Sequence, residues 1–343
     1  LVVGIAGILI QWASGLFDPE TDGVGTIFAV YLTGAFLAGL CMCILNCVVN
    51  PMLNLLGGGG NGGNQLIQVG GVFNSAAAVA CYILMGALIG DAAKAKMADA
   101  TPALMIALTI FVIAFVVICF TKIEEPEQAP VQLDMIPKAL GYRHFALGAL
   151  AIFLYMGIEV GVPNFVNLYL IDTGIPAATA GLLVAVYWAS MMIGRFVGAS
   201  IGSKVSARTM ITTVSTATLL LVGFGIFAPT DVLVPFPGVD WSAMTFITQD
   251  VPVGIFAMLL VGLCTSVMWG AIFNMAVEGL GKYTAIASGI FMTMVFGCAV
   301  MMGIQGWMAD LFGYLSSFWV VMFCAAYLLF YALIGSRVSK RAE

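Results

Sequence analysis

Carboxamide side chains recur at regular spacing within an apolar stretch of the N-terminal third of the chain. Asn46, Asn50 and Asn54 follow one another every four residues, which places them on one face of a helix. Gln68 and Asn74 lie in the apolar run that comes next. Amides are costly in a membrane helix unless they face a partner or a water-filled cavity. The pattern therefore predicts a polar seam that faces the inside of a helical bundle.

A glycine-rich segment separates these two apolar runs. Residues 57–63 have the sequence GGGGNGG, and glycine loses more backbone entropy in a helix than any other residue. We expect this segment to break the helix as a tight hairpin, and Pro51 to kink or end the helix before it. A phosphate-binding loop would end in Lys and Ser or Thr after a strand, and neither feature is present in the sequence.

One acidic residue is predicted near the centre of the membrane. Glu159 lies in the apolar run LYMGIEVGVPNFVNLYL, with Gly157 and Gly161 on either side and Pro163 one turn later. An ionisable side chain within a membrane span indicates a functional site by default. Glu159 is therefore the strongest candidate for a functional residue in the chain.

Further polar and aromatic residues could surround a ligand together with Glu159. The hydrogen-bonding candidates in the same part of the chain are Asn164, Asn167 and Asn274, and the aromatic faces are Trp188 and Trp269. Amides also tie membrane helices together, so this structural role stays an alternative for each of them. Nearer the inner surface, Arg195 is a candidate gating residue and Glu278 its candidate partner.

The composition is that of a polytopic helical membrane protein. Apolar residues make up 62% of the 343 residues and charged residues 8%, whereas about a quarter of a soluble domain is charged. A helix needs about 20 apolar residues to cross the bilayer. Ten segments approach this length, at residues 1–17, 25–56, 64–90, 101–121, 145–171, 175–202, 208–228, 251–279, 284–310 and 315–336. The predicted fold class is all-α.

Basic residues orient these segments. With the polar loop 122–144 in the cytoplasm, all of the 12 basic residues except Lys94 and Lys96 lie on the cytoplasmic side. This distribution follows the positive-inside rule and places the C-terminus in the cytoplasm. The loop 229–250 is then outside, where we expect it to lie on the surface as a lid.

The sequence offers little for catalysis or metal binding. His144 is the only histidine, and the 8 cysteines lie in apolar segments without a CxxC pair. We therefore expect no metal site, no cofactor and no enzymatic activity.

Four motifs, in chain order, give the sequence a resemblance to a known family. They are NPMLNLLG (50–57) with its glycine-rich turn and FNS (73–75), YMGIE (155–159), GRFVG (194–198) and GLGK (279–282). In this combination the chain resembles the fucose/proton symporter family. That family is a branch of the major facilitator superfamily that also contains bacterial glucose/galactose transporters.

The resemblance implies a twelve-helix transporter of which this sequence contains helices 3–12. Because Leu1 already lies in an apolar segment, we expect an N-terminally truncated chain. Residues 1–121 would be the rest of the N-terminal half, 122–144 the cytoplasmic linker and 145–343 the C-terminal half. Transport would proceed by rocking of the two halves about a central site.

The implied substrate is a small sugar such as fucose, glucose or galactose. Asn46, Asn50, Gln68 and Asn74 from one half, with the candidates of the other half, would bind its hydroxyl groups. The family has an acid where this chain has Asn46, which cannot carry a proton. The coupling ion is therefore open between a proton and sodium, with Glu159 as the candidate ion-coupling residue.

Other functions are compatible with the same composition. A drug or metabolite exporter of the same superfamily is the first alternative, followed by a membrane sugar sensor and a polytopic membrane enzyme. For the leading prediction we expect a monomer in the lipid bilayer of a bacterial inner membrane, with no nucleic-acid partner.

Overall fold

The computed structural model describes residues 1–18, 21, 23–56, 60–89, 97–122, 134–201, 205–240 and 245–338. Gly57–Gly59, most of the predicted linker, and the side chains of Asn50, Asn54 and Gln68 lie outside the described part. The longer helices are α1 (Val2–Ser14), α2 (Val24–Leu56), α3 (Gly60–Ile89), α4 (Thr101–Phe120), α5 (Met135–Leu140), α6 (Arg143–Asp172), α7 (Ala177–Ile201), α8 (Ala207–Phe227), α9 (Val253–Thr265), α10 (Met268–Val277), α11 (Thr284–Thr293), α12 (Gly297–Phe312) and α13 (Tyr314–Phe330).

Each of the ten predicted apolar segments lies on helix. In the described part of the chain, 7 helices are long and apolar enough to cross a membrane. An eighth span consists of α9 and α10, which are bent by 40° at the break between them. Two shorter apolar helices, Val2–Ser14 and Val69–Met85, account for the remaining segments. The predicted helical membrane fold is confirmed.

The prediction for the glycine-rich segment is partly wrong. Helix α3 already begins at Gly60, so Asn61, Gly62 and Gly63 are helical rather than a break. Helix α2 continues past Pro51 to Leu56, so Pro51 does not end this helix. In a membrane every backbone group must find an internal hydrogen-bond partner, and this requirement outweighs the low helix propensity of glycine.

The described chain forms two compact units. The first comprises residues Leu1–Ile67 and Ile83–Gln128, and the second comprises Gln68–Tyr82 and Ala129–Glu343. In the first unit, α1 packs closely on α2. A Cβ atom at Gly34 would come within 2.6 Å of the Gly7 carbonyl oxygen. Small residues at such a contact allow two membrane helices to approach closely.

Helix α6 is the central element of the second unit. It contacts α7, α9, α10, α12 and α13. Fully buried side chains follow its length, among them Phe145, Ile152, Tyr155, Ile158 and Leu170. A helix that is apolar on every side belongs in the interior of a bundle, and this placement surrounds Glu159 with protein.

The segment between α8 and α9 contains a β-hairpin that the sequence analysis did not predict. Strand β1 (Leu233–Asp240) pairs antiparallel with β2 (Thr245–Pro252), so that Pro235 lies opposite Asp250. Pro235 and Pro237 are two residues apart, and both of their nitrogens can face away from β2. Proline is tolerated on such an outer edge because no ladder hydrogen bond is lost there.

Candidate functional site

Two faces of α6 have different roles at mid-helix. Gly157 and Gly161 are one turn apart and face α12, where a Cβ atom at Gly157 would come within 2.6 Å of the Met301 Cβ. Glu159, two residues from each glycine, points in the opposite direction. The glycine face thus fixes α6 against α12, while Glu159 faces α7.

Glu159 forms an ion pair with Arg195 of α7. The Glu159 Oε1 and Arg195 Nη2 atoms are 3.8 Å apart, and the two side chains are only 12% and 13% exposed. An unpaired charge in an apolar interior is very costly, so each side chain stabilises the ionised form of the other. The sequence analysis selected both residues but gave Arg195 a different partner.

Arg195 also contacts the segment of α3 that belongs to the same unit. Its Nη1 atom donates a hydrogen bond to the Gly71 carbonyl oxygen. A Cβ atom at Gly71 would come within 3.0 Å of this nitrogen, so a larger residue at this position would crowd the guanidinium. Arg195 therefore connects α3 to the acid on α6.

A hydroxyl group completes the backbone hydrogen bonding around Glu159. The Glu159 carbonyl oxygen would ordinarily accept the N–H of residue 163, but Pro163 has no N–H. The Tyr187 hydroxyl, on α7, donates to this oxygen at 3.0 Å. The same hydroxyl lies 3.2 Å from the Thr265 hydroxyl of α9. Tyr187 thereby replaces the hydrogen bond that the proline removes.

Aromatic residues border the acid on the side of α10. Tyr155 lies one turn before Glu159, and its hydroxyl donates to the Thr265 carbonyl oxygen at 3.3 Å. Its ring is 6.3 Å from the Trp269 ring, which in turn lies 5.6 Å from Phe291. Trp269, a predicted stacking residue, is therefore packed in an aromatic cluster.

A second polar and aromatic group surrounds Trp188. The Tyr82 ring of α3 stacks on the Trp188 ring at 6.5 Å with an interplanar angle of 26°. The Tyr82 hydroxyl donates to the Asn164 Oδ1 atom at 3.5 Å. The Asn164 Nδ2 atom donates to the Val160 carbonyl oxygen at 2.7 Å. Two predicted ligand-binding residues, Trp188 and Asn164, thus share one neighbour.

Three other predicted binding residues, all of them described, are not part of these two groups. The Asn46, Asn74 and Asn274 side chains are exposed on their helices, and Asn46 belongs to the other unit. The predicted partnership of Arg195 with Glu278 is wrong, because Arg195 pairs with Glu159. Glu278 instead accepts a hydrogen bond of 2.8 Å from His144 Nε2 at its carbonyl oxygen.

Three residues that contact the predicted site residues are not among the residues that the sequence analysis predicts. Tyr82, Tyr187 and Thr265 lie in apolar runs, and their types alone do not separate them from core residues. The sequence indicates Tyr187 only indirectly. Pro163 leaves one carbonyl oxygen in α6 without its helical donor, and this oxygen needs a donor from a neighbouring helix. Within the described residues, no group of three or more His, Cys, Asp or Glu side chains could hold a metal ion.

Membrane-spanning helices with a buried ion pair in their interior define a polytopic helical membrane protein, and the chain has the major facilitator superfamily fold. It matches a crystal structure of the superfamily transporter FucP in the outward conformation with a TM-score of 0.65. The match covers 98% of this chain and 83% of FucP, at 17% sequence identity.

Sequence comparison confirms the resemblance stated above. The chain is 29% identical to the glucose/galactose transporter of Brucella abortus, over 98% of this chain and 78% of the relative. It is 21% identical to the L-fucose-proton symporter of Escherichia coli, over 90% of this chain and 72% of the relative. No model of a protein family matches the chain.

Proposed function

We propose that the protein is a secondary transporter of a small sugar and works by alternating access. The observation that carries this proposal is the similarity, over 98% of the chain, to a glucose/galactose transporter. The L-fucose-proton symporter supports the same substrate class. The proposed function is transport without enzymatic activity, by a monomer in a bacterial inner membrane with its C-terminus in the cytoplasm.

The proposed substrate is a hexose or deoxyhexose such as glucose, galactose or L-fucose. A pyranose has hydroxyl groups on its rim and an apolar face, so its binding needs hydrogen-bonding side chains beside an aromatic ring. Asn164 and Trp188 provide these two features around one shared neighbour, Tyr82. Asn46, Asn50, Gln68, Asn74, Trp269 and Asn274 stay predicted contributors.

Glu159 is the proposed ion-coupling residue. Its carboxylate lies beside Arg195, and protonation of Glu159 would remove the charge that attracts the guanidinium. Arg195 would then keep its contact with Gly71 of α3. Proton uptake could in this way change the packing between α6, α7 and α3. A sodium ion is the alternative coupling ion, and Arg195 and Glu278 remain proposed gating residues.

The test is uptake in cells that lack their own hexose transport. Labelled glucose, galactose and L-fucose are supplied with and without an imposed proton gradient, and the protein in the membrane is quantified. We expect saturable uptake of at least one sugar, stimulated by the gradient. No sugar uptake by protein that is present in the membrane would refute the proposal and favour the exporter.

The coupling step has its own test. We expect Glu159→Gln to lose stimulation by the gradient, whereas Asp310→Asn, at an exposed acid of α12, keeps it. Normal and fully gradient-dependent uptake by Glu159→Gln would contradict the role of Glu159. Stimulation by a sodium gradient alone would replace the proton with sodium.

A further inference from the structure

The Tyr82 side chain makes two contacts at once with the groups proposed to bind sugar. Its ring covers the Trp188 ring at 6.5 Å, and its hydroxyl donates to Asn164 Oδ1 at 3.5 Å. A phenol is a flat ring with one hydroxyl on its rim. It therefore offers the indole and the amide the same kinds of contact that a pyranose would offer.

The two partners of Tyr82 are held in place from other directions. Asn164 is fixed by its hydrogen bond to the Val160 carbonyl oxygen, which leaves its Oδ1 atom facing Tyr82. Trp188 packs edge-on against the buried Tyr187 ring at 5.5 Å. The indole and the amide thus form a fixed surface, and Tyr82 lies on it from a different helix.

The contacts of Tyr82 on this surface are weak. A donor–acceptor distance of 3.5 Å is at the long end of hydrogen bonding. The Trp188 indole nitrogen is buried and has no hydrogen bond of good geometry in the described structure, although the Tyr82 hydroxyl lies close to it. An unpaired buried donor is unfavourable, and a sugar hydroxyl would supply the missing acceptor.

The Tyr82 side chain can move away from Trp188 and Asn164, whereas the Tyr82 backbone is held in place. A Cβ atom at Gly181 of α7 would come within 2.9 Å of the Tyr82 carbonyl oxygen, so the backbone of α3 packs tightly on α7 at this point. The side chain, in contrast, is only half-buried. Rotation about its side-chain bonds would expose the indole and the amide without moving either helix.

We propose that Tyr82 competes with the sugar for its binding site. The Tyr82 side chain covers Trp188 and Asn164 until the substrate displaces it. This inference rests on the proposed function and adds to it a residue that controls affinity. A site that is open for only a fraction of the time binds its ligand more weakly by that fraction. Removal of the competing side chain therefore strengthens binding, whereas removal of an ordinary ligand-binding tyrosine weakens it.

The test measures the Kd of labelled glucose, galactose and L-fucose with the purified full chain in detergent. For Tyr82→Ala we expect a Kd about three- to tenfold lower than that of the unmodified protein, the amount by which a stacked aromatic pair competes. Tyr82→Phe keeps the stacked ring and loses the hydroxyl, so we expect a smaller decrease. Tyr283→Phe, whose ring packs on Tyr142, is the control and should leave the Kd unchanged.

The outcomes separate the two proposals. If the unmodified protein binds none of the sugars, both the function and the role of Tyr82 are refuted. If it binds a sugar and Tyr82→Ala binds it equally or more weakly, only the role of Tyr82 is refuted. Should Tyr82→Ala fail to fold, a lower Kd for Tyr82→Phe supports the proposal, and an unchanged or higher one overturns it.

Discussion

The Tyr187 hydroxyl donates a hydrogen bond of 3.0 Å to the carbonyl oxygen of Glu159. In a regular helix the N–H of the residue four positions later would donate to this oxygen. That residue is Pro163, which has no N–H. A proline inside a buried helix is therefore accompanied by a hydroxyl from the neighbouring helix. The arrangement fixes the backbone that carries the one acid of the proposed coupling site.

The first prediction concerns this replacement hydrogen bond. Tyr187→Phe leaves the buried Glu159 oxygen without a donor, and we expect it to lower the free energy of unfolding by about 1–3 kcal/mol. In a Pro163→Ala background the residue 163 N–H can donate instead, so the same substitution should cost clearly less. Thermal unfolding of the four proteins in detergent measures the difference. Equal losses in both backgrounds would contradict the assigned role of Tyr187.

Hydropathy and charge were sufficient to predict the helices and the acid. Bilayer thickness fixes the length of each apolar segment, and a charge within such a segment is conspicuous because it is costly. The side chains that surround Glu159 could not be derived in the same way. Arg195, Tyr187 and Gly71 contact it or its partner from other helices, and these contacts depend on how the helices pack.

The β-hairpin between α8 and α9 was not predicted from the sequence, and for a different reason. Pro235 and Pro237 in β1 indicate an irregular loop, because proline cannot donate to a strand ladder. The structure places both on the strand of a two-stranded ribbon, where one edge has no partner among the described residues. Whether a proline faces the partner strand or the free edge is decided by the register, which the sequence pattern left open.

The second prediction concerns the ion pair between Glu159 and Arg195. Removing either charge leaves the other one largely buried and unpaired. Breaking a buried ion pair in this way lowers the free energy of unfolding by about 3–5 kcal/mol. We expect Glu159→Gln and Arg195→Gln each to lower the unfolding temperature, and the double variant to lose less than the two single losses together. Lys138→Gln, which breaks the exposed pair with Asp134, is the control and should change little. Additive losses would show that the pair does not stabilise the fold.

The third prediction concerns the contact between α7 and α9. A Cβ atom at Gly262 would come within 2.5 Å of the Ser190 Oγ atom and would also meet the Tyr187 carbonyl oxygen. We expect Gly262→Ala to destabilise the protein by about 1–3 kcal/mol, because a tightly packed backbone cannot move aside easily.

Gly270 on α10 is the matched control for this substitution. It has nothing within 4 Å of a Cβ atom, and Gly270→Ala should be neutral or stabilising by up to about 1 kcal/mol. Unfolding temperatures of the two variants provide the comparison. Equal effects would mean that α7 and α9 are not in close contact at Gly262.

The last prediction is a stabilising substitution at the N-terminal end of α7. Thr179 is fully buried, and its hydroxyl has no hydrogen-bond partner in the described structure. A buried hydroxyl without a partner costs free energy, whereas valine has nearly the same shape and no polar group. We expect Thr179→Val to raise the free energy of unfolding by about 1 kcal/mol.

Thr218 on α8 provides the comparison that tests this argument. It is equally buried, but its hydroxyl donates to the Val214 carbonyl oxygen at 2.8 Å. Thr218→Val removes a hydrogen bond that is already made, so it should not stabilise the protein. Thermal unfolding of both variants in the same detergent measures the contrast. If Thr179→Val is the less stable of the two, the Thr179 hydroxyl has a partner after all, and its contact with the hairpin at Gly238 is the first place to look for it.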